Sequence, residues 1–331
     1  MNSITQALLL ALLVALPLSA APVLSSARTA GAPQTASDAS ALPAVLITGA
    51  STGIGRRTAE HLAKNGFFVY AGARKDKDMA ELNELENVQA IRLDVTSPEQ
   101  IAAAVKTVEE AGRGLHGLIN NAGVVVMAPL TEVTEEDLDF QMDVNVFGPY
   151  RVTKAFSELL IENGGRVSTT GSISGVLTWG LGGPYTMSKH AIEAYTDCLA
   201  AELEPLGVRC SVVDPGNFRS RIFDSMVERM KAKGYTGKGS RYEERFRGIL
   251  EDGIDRSNEA DPLPVAEAFL HAMKSESPKL RYLVTPNENQ ANRTIQAVLR
   301  RAVELNRDQK HELSREQLHQ LLDRTLDAEG Q

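Results

Sequence analysis

A short aliphatic run, VLIT at residues 45 to 48, breaks directly into the glycine-rich turn GASTGIG at 49 to 55. A helical stretch with Ile54, Leu62 and Ala63 on one face follows and stops at Gly66. This unit constrains the fold more than any other stretch, because an apolar strand that feeds a turn and a helix rejoins its sheet by a crossover, parallel to where it began. The same alternation recurs at FFVYAGA (67 to 73), AIRLDV (90 to 95), LHGLINNAG (115 to 123), RVSTTGS (166 to 172), VRCSVVDPG (208 to 216) and RYLVT (281 to 285). Strands that are apolar almost throughout, separated by helices, predict a parallel sheet covered on both faces. The helices carry start signals of their own. Ser97 is followed by Pro98 and, three residues after the cap, Gln100. Thr134 with Asp137 opens a helix expected to run through Asn145 towards Leu160 and to stop at Gly164 and Gly165. The expected fold class is α/β, three layers around a doubly wound parallel sheet of seven strands.

Of the 331 residues, 43% are apolar and 24% charged, which suits one domain of about 250 residues with appendages. Residues 4 to 24 carry no charge and are rich in Leu and Ala. Pro17 and the small residues Ser19, Ala20 and Ala21 read as a cleavable export signal, whereas the length of the uncharged run suits a membrane anchor, so residues 1 to 24 are assigned to one or the other. Which it is decides localisation, exported or membrane-anchored. Residues 25 to 43, rich in Ala, Ser, Thr and Pro, read as a flexible linker. The folded unit is placed at 44 to 286, with a polar insertion at 217 to 260 that reads as a lid over the strand ends. Residues 287 to 331 form a charged helical tail whose Ile295, Val298, Leu299 and Val303 recur at helical spacing, to pack on the body or on a partner subunit. A net charge of -8 provides no field for a phosphate backbone, so no nucleic-acid partner is expected. The two cysteines, Cys198 and Cys210, have no metal-ligand spacing, and no metal site is expected.

The turn after the first strand places Gly49, Gly53 and Gly55 where backbone N–H groups can approach a pyrophosphate at a helix N-terminus. Ordinary strand-to-helix turns also use glycine, but this turn's place between an apolar strand and a helix favours the dinucleotide reading. A second cluster lies at 168 to 190. Ser172 stands at a strand end, and Tyr185 and Lys189 are four apart on one helical face. A free phenol has a pKa of about 10, too high for proton exchange at neutral pH. A nearby ammonium would lower it, and a serine hydroxyl could hold a substrate oxygen beside it. Where a dinucleotide fold that takes NAD places an acid at the end of the second strand, this chain reads Ala73-Arg74-Lys75. Two cations suit a 2′-phosphate, so NADP(H) is preferred and NAD(H) remains possible.

Six motifs in one order, TGxxxGIG at 48 to 55, NNAG at 120 to 123, Asn145, Ser172, Tyr185-x-x-x-Lys189 and Pro215-Gly216, resemble the short-chain dehydrogenase/reductase family over residues 44 to 225. Within that family the chain looks nearest the steroid, retinol and hydroxybutyrate dehydrogenase branch. The resemblance implies a Rossmann fold and NAD(P)-dependent interconversion of a secondary alcohol and a carbonyl. It also implies a catalytic set of Asn145, Ser172, Tyr185 and Lys189, with Lys189 on the nicotinamide ribose and Asn145 holding a water that links Lys189 to solvent. Cofactor contacts carried over by the same match are Gly49, Ser51, Gly53, Ile54 and Gly55 in the turn, Arg74, Asp94, Val95, Asn121, Ala122, Gly123, Asn145, Tyr185, Lys189, Pro215, Gly216, Phe218 and Ser220. A homodimer or homotetramer built on the long helices is implied as well. Val125, Val126, Met127, Leu177, Trp179 and Leu181 read either as an apolar wall for a small-molecule substrate of steroid, retinoid or hydroxy-acyl type, or as ordinary core. A catalytically silent dinucleotide-binding sensor or scaffold on the same fold is the alternative function.

Overall fold

The computed structural model describes residues 42 to 256 and 258 to 329. The signal or anchor at 1 to 24 and nearly all of the linker at 25 to 43 lie outside the described residues. Strands and helices alternate as β1 (Ala44–Ile47), α1 (Gly53–Lys64), β2 (Phe68–Ala73), α2 (Asp76–Asn83), β3 (Val88–Arg92), α3 (Pro98–Glu110) and β4 (Gly117–Asn120). After these come α4 (Glu135–Met142), α5 (Gly148–Glu162), β5 (Arg166–Thr170), α6 (Gly183–Leu203) and β6 (Arg209–Pro215). The chain continues through α7 (Ile222–Ala232), α8 (Glu243–Asp252), α9 (Leu263–Lys274), β7 (Arg281–Val284), α10 (Glu288–Asn306) and α11 (Arg315–Glu329).

The seven strands form one sheet in the order β3-β2-β1-β4-β5-β6-β7, and every pair is parallel. Alternation along β1 explains the three layers. Val45 and Ile47 join Ala59 and Leu62 of α1 and Val265 and Phe269 of α9 on one face. Ala44 and Leu46 join Ile101 of α3 and Val152 and Phe156 of α5 on the other. Large side chains such as Leu46, Leu62, Phe156 and Phe269 are fully buried, each contributing about 1.5–3 kcal/mol. The strand order reverses at β1, which leaves a crevice between the C-terminal ends of β1 and β4, where the glycine turn and the NNAG loop both emerge.

Local signals act as read from the sequence, with three differences. Ser97 and Thr134 cap α3 and α4, accepting the N–H groups of Gln100 and Asp137. Gln100 reaches back to the N–H of Asp94 at 2.9 Å, which draws the chain out of the sheet, so β3 ends at Arg92 rather than at Val95. The helix expected from Thr134 to Leu160 is interrupted by a π-turn over Asp143–Phe147, at Asn145 itself. Polar residues 217 to 260 fold into α7 and α8, which bury Met226, Phe246 and Ile249 in a small apolar cluster of their own with Val125, Met127 and Leu181. Helix α10 returns to the body through buried Thr294 and a bond from Arg301 to the Val176 carbonyl oxygen at 3.2 Å. Its Ile295, Val298, Leu299 and Val303 are nevertheless exposed, so within this chain the stripe does not pack on the body. Among the described residues no helix is long and apolar enough to cross a membrane, and no group of three His, Cys, Asp or Glu side chains could hold a metal ion.

Candidate active site

The crevice opens into a cleft of about 720 Å³ that runs from the glycine turn past the ends of β4, β5 and β6 to α7 and α8. Its first wall is the β1–α1 turn. Thr52 makes no side-chain cap bond, so the N–H groups of the first turn of α1 are left for an anion. The loop is folded tightly enough to require glycine. Gly49 has φ 65°, and a Cβ on Gly55 would overlap the Gly49 carbonyl oxygen and Asn121 Nδ2. Asn121 fastens the turn to the end of β4 by donating to the Thr48 and Gly49 carbonyl oxygens at 3.1 and 3.0 Å. Thr48 Oγ1 in return accepts the N–H groups of Asn121 and Ala122 at 3.0 Å each. These residues fit a pyrophosphate bound against backbone.

Arg74 continues the wall at the end of β2, with its side chain 64% exposed and Nη1 3.6 Å from an Asp94 carboxylate oxygen. Burial works to raise the Asp94 carboxyl, but bonds from the Thr96 N–H and hydroxyl and the charge of Arg74 outweigh it and leave the pKa low. Asp94 therefore stays ionised beside the cation.

Ser172, Tyr185 and Lys189 come together on the far wall. Ser172 follows β5 directly, accepts the Ser174 N–H at 3.0 Å and lines the cleft together with Tyr185. Helix α6 carries Tyr185 and Lys189 one turn apart, which puts Lys189 Nζ 5.7 Å from the centre of the Tyr185 ring. The ammonium donates to the Thr170 carbonyl oxygen at 2.7 Å and is buried. Burial lowers its pKa to about 8 against the pull of Asp214 and Glu193. For Tyr185 burial raises the pKa, opposed by Ser172 and by the Arg256 guanidinium and reinforced by Asp214. The expected lowering of the phenol by Lys189 is thus not what dominates here, because Lys189 is turned to Thr170 and faces two acids.

Asn145 is buried and does not line the cleft. Its Oδ1 accepts the Val124 N–H at 2.8 Å, and its Nδ2 donates to the Val124 carbonyl oxygen at 3.0 Å and to Ser188 Oγ at 3.1 Å. The π-turn is what swings Asn145 across to hold the loop after NNAG. Every other residue carried over as a cofactor contact lies on the cleft wall. Of the six apolar candidates, Val125, Met127, Leu177 and Trp179 line it, whereas Val126 and Leu181 point into the interior and are core.

Sequence reasoning missed five cations on the cleft wall, Arg221, Arg229, Arg245, Arg256 and Arg293, two of which lie over aromatic rings. Arg229 of α7 stacks on Phe140 with its guanidinium carbon 4.8 Å from the ring centre and donates to the Val125 carbonyl oxygen. Arg256 lies over Phe223 at 4.8 Å and pairs with Glu259 at 2.5 Å. Both sit in a segment whose charges look solvated until α7 and α8 fold back, so no local signal marks them.

The short chain dehydrogenase family model matches residues 43 to 231, a span that holds the turn, NNAG, Ser172, Tyr185 and Lys189. The chain is a short-chain dehydrogenase. It is accordingly an oxidoreductase acting on CH–OH groups. Rat mitochondrial D-beta-hydroxybutyrate dehydrogenase is 33% identical to it over 270 residues, 74% of this chain and 77% of that protein. Human 17-beta-hydroxysteroid dehydrogenase type 6 is 32% identical over 252 residues, 72% of this chain and 79% of that one, which places the dehydrogenase in the same branch as these two. A short-chain dehydrogenase crystal structure from Streptomyces avermitilis superposes with a TM-score of 0.65 at 26% identity, covering 80% of this chain and 95% of that one.

Proposed function

We propose that this dehydrogenase interconverts a secondary alcohol and a ketone with NADP(H), using Tyr185 as the proton donor and acceptor. The reading is carried by one observation: Ser172, Tyr185 and Lys189 share the wall of the same cleft that starts at the uncapped N-terminus of α1. Bound along that cleft, nicotinamide supplies the hydride acceptor or donor.

In the oxidative direction Tyr185 takes the proton of the substrate hydroxyl, and in the reductive direction it returns one to the carbonyl oxygen. Ser172 holds that oxygen beside the phenol. Lys189, the buried ammonium next along α6, favours the ionised phenol whenever substrate chemistry draws it from Thr170. Asn145 works beneath the wall by fixing Val124, and with it the loop that carries Val125 and Met127 against the substrate. A preference for NADP(H) over NAD(H) is supported by Arg74, which offers its fork at the end of β2, a strand whose own last residues carry no acid, with Asp94 3.6 Å away.

Met127, Leu177, Trp179, Ile222, Phe223, Ile249 and Ile254 give the substrate end an apolar lining, and α7 with α8 cover it as a lid. Arg229 is half-buried there, within the field of Asp137 but in no salt bridge among the described residues. That combination favours an apolar alcohol with an acidic group, the hydroxy-acyl type, over a neutral steroid or retinoid. Tyr185→Phe should lower turnover about a hundredfold to ten-thousandfold while NADPH titrates as in the parent protein. A panel of hydroxy acids, their methyl esters, steroids and retinol, monitored by cofactor absorbance, tests both parts. A fully active Tyr185→Phe protein defeats the mechanism, and equal rates on acid and ester defeat the substrate class.

A further inference from the structure

Helix α10 forms a rim of the cleft that neither the sheet nor the lid provides. Gln290 Oε1 accepts the N–H of Asn217, in the loop after β6, at 2.8 Å. Arg301 donates to the Val176 carbonyl oxygen at 3.2 Å and lies 3.3 Å from His190 Nε2 of α6. Val176 closes the helical turn Ile173–Gly175 that Ser172 caps, and His190 directly follows Lys189. Residues 290 to 301 thus run from the end of β6 to the loop after β5, tied at both ends beside the wall that carries Ser172 and Lys189. With about 3.6 residues per turn, Gln290, Arg293, Thr294 and Arg301 fall on one face of the helix. Thr294 is buried on that face, and the exposed Ile295, Val298, Leu299 and Val303 lie away from it.

Arg293 lines the cleft from this face and is exposed to solvent. The positions three and four residues away from it are Asn289, Gln290, Gln296 and Ala297, so α10 itself offers no acid as a helix-face partner. Among the described residues its side chain is in no ion pair or hydrogen bond. Other arginines of the cleft are engaged. Arg221 pairs with Glu228 at 2.8 Å and Arg256 with Glu259 at 2.5 Å, and Arg229 donates to the Val125 carbonyl oxygen while lying over Phe140. Arg245 has no ion pair among the described residues either, but it stands on α8 in the lid. Arg293 stands on a helix tied down at both ends, so less freedom is lost when it takes a ligand. On the reading above, the N-terminus of α1 and Arg74 answer the charges of the cofactor, which leaves Arg293 to the substrate.

We propose that Arg293 is a specificity residue, a guanidinium supplied by the C-terminal helix that binds the carboxylate of the substrate at the mouth of the cleft. Its planar fork matches a carboxylate through two parallel hydrogen bonds, and its place outside the sheet lets the tail choose among alcohols that Ser172 and Tyr185 would treat alike. The inference rests on the acidic-substrate reading above, and it does not depend on which residue moves the proton.

Titration calorimetry of the full chain saturated with NADPH tests it, with octanoate as the probe and octanamide as its neutral counterpart. Octanoate should bind the parent protein more tightly than octanamide, by a margin that shrinks as salt rises. Arg293→Met should lose octanoate affinity by about 5- to 30-fold and octanamide affinity by less than about twofold. Arg293→Lys, which keeps the charge without the fork, should fall between parent and Arg293→Met for octanoate. Thermal melts and NADPH titration establish that both variants are folded and take the cofactor. An Arg293→Met protein that binds octanoate as the parent does, or that loses both probes alike, overturns the proposal. If Arg293→Met keeps the parent's margin and Arg229→Met abolishes it, the acidic-substrate reading stands and the assignment to Arg293 falls alone. A parent protein with no margin between the probes defeats both. Full turnover by Tyr185→Phe would sink the proton-transfer reading and leave these titrations untouched.

Discussion

Replacing Arg74 with alanine separates the two cofactors. Its guanidinium leaves the end of β2 at the rim of the cleft and touches the Asp94 carboxylate at 3.6 Å, so it is oriented without being consumed by a close ion pair. A hydrogen bond to a charged group contributes about 1.5–3 kcal/mol. At 64% exposure, solvent screening brings this to about 1–2 kcal/mol. At 1.4 kcal/mol per factor of ten, NADP(H) affinity should fall about 5- to 30-fold, and NAD(H), with a hydroxyl where the phosphate would be, by less than about threefold. Loss of the cation also leaves the ionised Asp94 without its counter-charge, which works in the same direction against a phosphate. Fluorescence titration of NADPH and NADH against both proteins, at low and high salt, gives the two ratios and shows whether the difference shrinks with ionic strength. Equal losses for both cofactors, or an unchanged NADPH affinity, would refute the assignment of Arg74 to a 2′-phosphate.

Gly55→Ala forces a Cβ onto the Gly49 carbonyl and the Asn121 amide, so it should cost about 1–3 kcal/mol in urea melts and weaken NADPH and NADH alike. Gly248→Ala, in α8 with open space around it, should leave both unchanged and serves as the control. Phe246→Ala removes a fully buried ring from the cluster that α7 and α8 form with Val125 and Met127, where Tyr235 meets it edge-on at 5.2 Å. It should raise KM for the alcohol and speed hydrogen exchange in α7 and α8 while cofactor affinity holds. Lys189 has a folded pKa of about 8 against 10.5 unfolded. Between those values the unfolded chain binds the extra proton, so the stability of the parent relative to Lys189→Met should climb from pH 8 to pH 10 in paired urea melts. A flat difference would mean that the ammonium is not buried as described.

The sheet was legible because its evidence is local. VLIT, FFVYAGA and VRCSVVDPG are each apolar runs between turn residues, and Ser97 and Thr134 announce their helices by side chains that bond within three residues. Motif spacing likewise located Ser172, Tyr185 and Lys189, which the fold brings to one wall. What stayed hidden depends on contacts distant in sequence or on backbone geometry that leaves no residue pattern. The π-turn at Asp143–Phe147 has ordinary helical composition, and only its hydrogen bonds to Val124 reveal why the helix widens there. Helix α8 buries Phe246 and Ile249 amid EERFRGILED, too few apolar residues to stand out from the charges. Arg229 and Arg256 face inward only because α7 and α8 close over the cleft.

Helix α10 reaches the cleft from outside the dinucleotide-binding layers. Gln290 Oε1 accepts the N–H of Asn217, directly after Gly216, at 2.8 Å, and a Cβ on Gly216 would overlap that same oxygen. The loop after β6, on the cleft wall, is therefore latched by a residue of the C-terminal tail. The same helix holds Arg301 against the Val176 carbonyl and displays its bare apolar stripe to whatever approaches. A load placed on the tail is delivered to the cleft wall by a lever about five turns long, so a chain cut before Asn287, or a bulky fusion seated on α10, is an altered enzyme rather than a trimmed one.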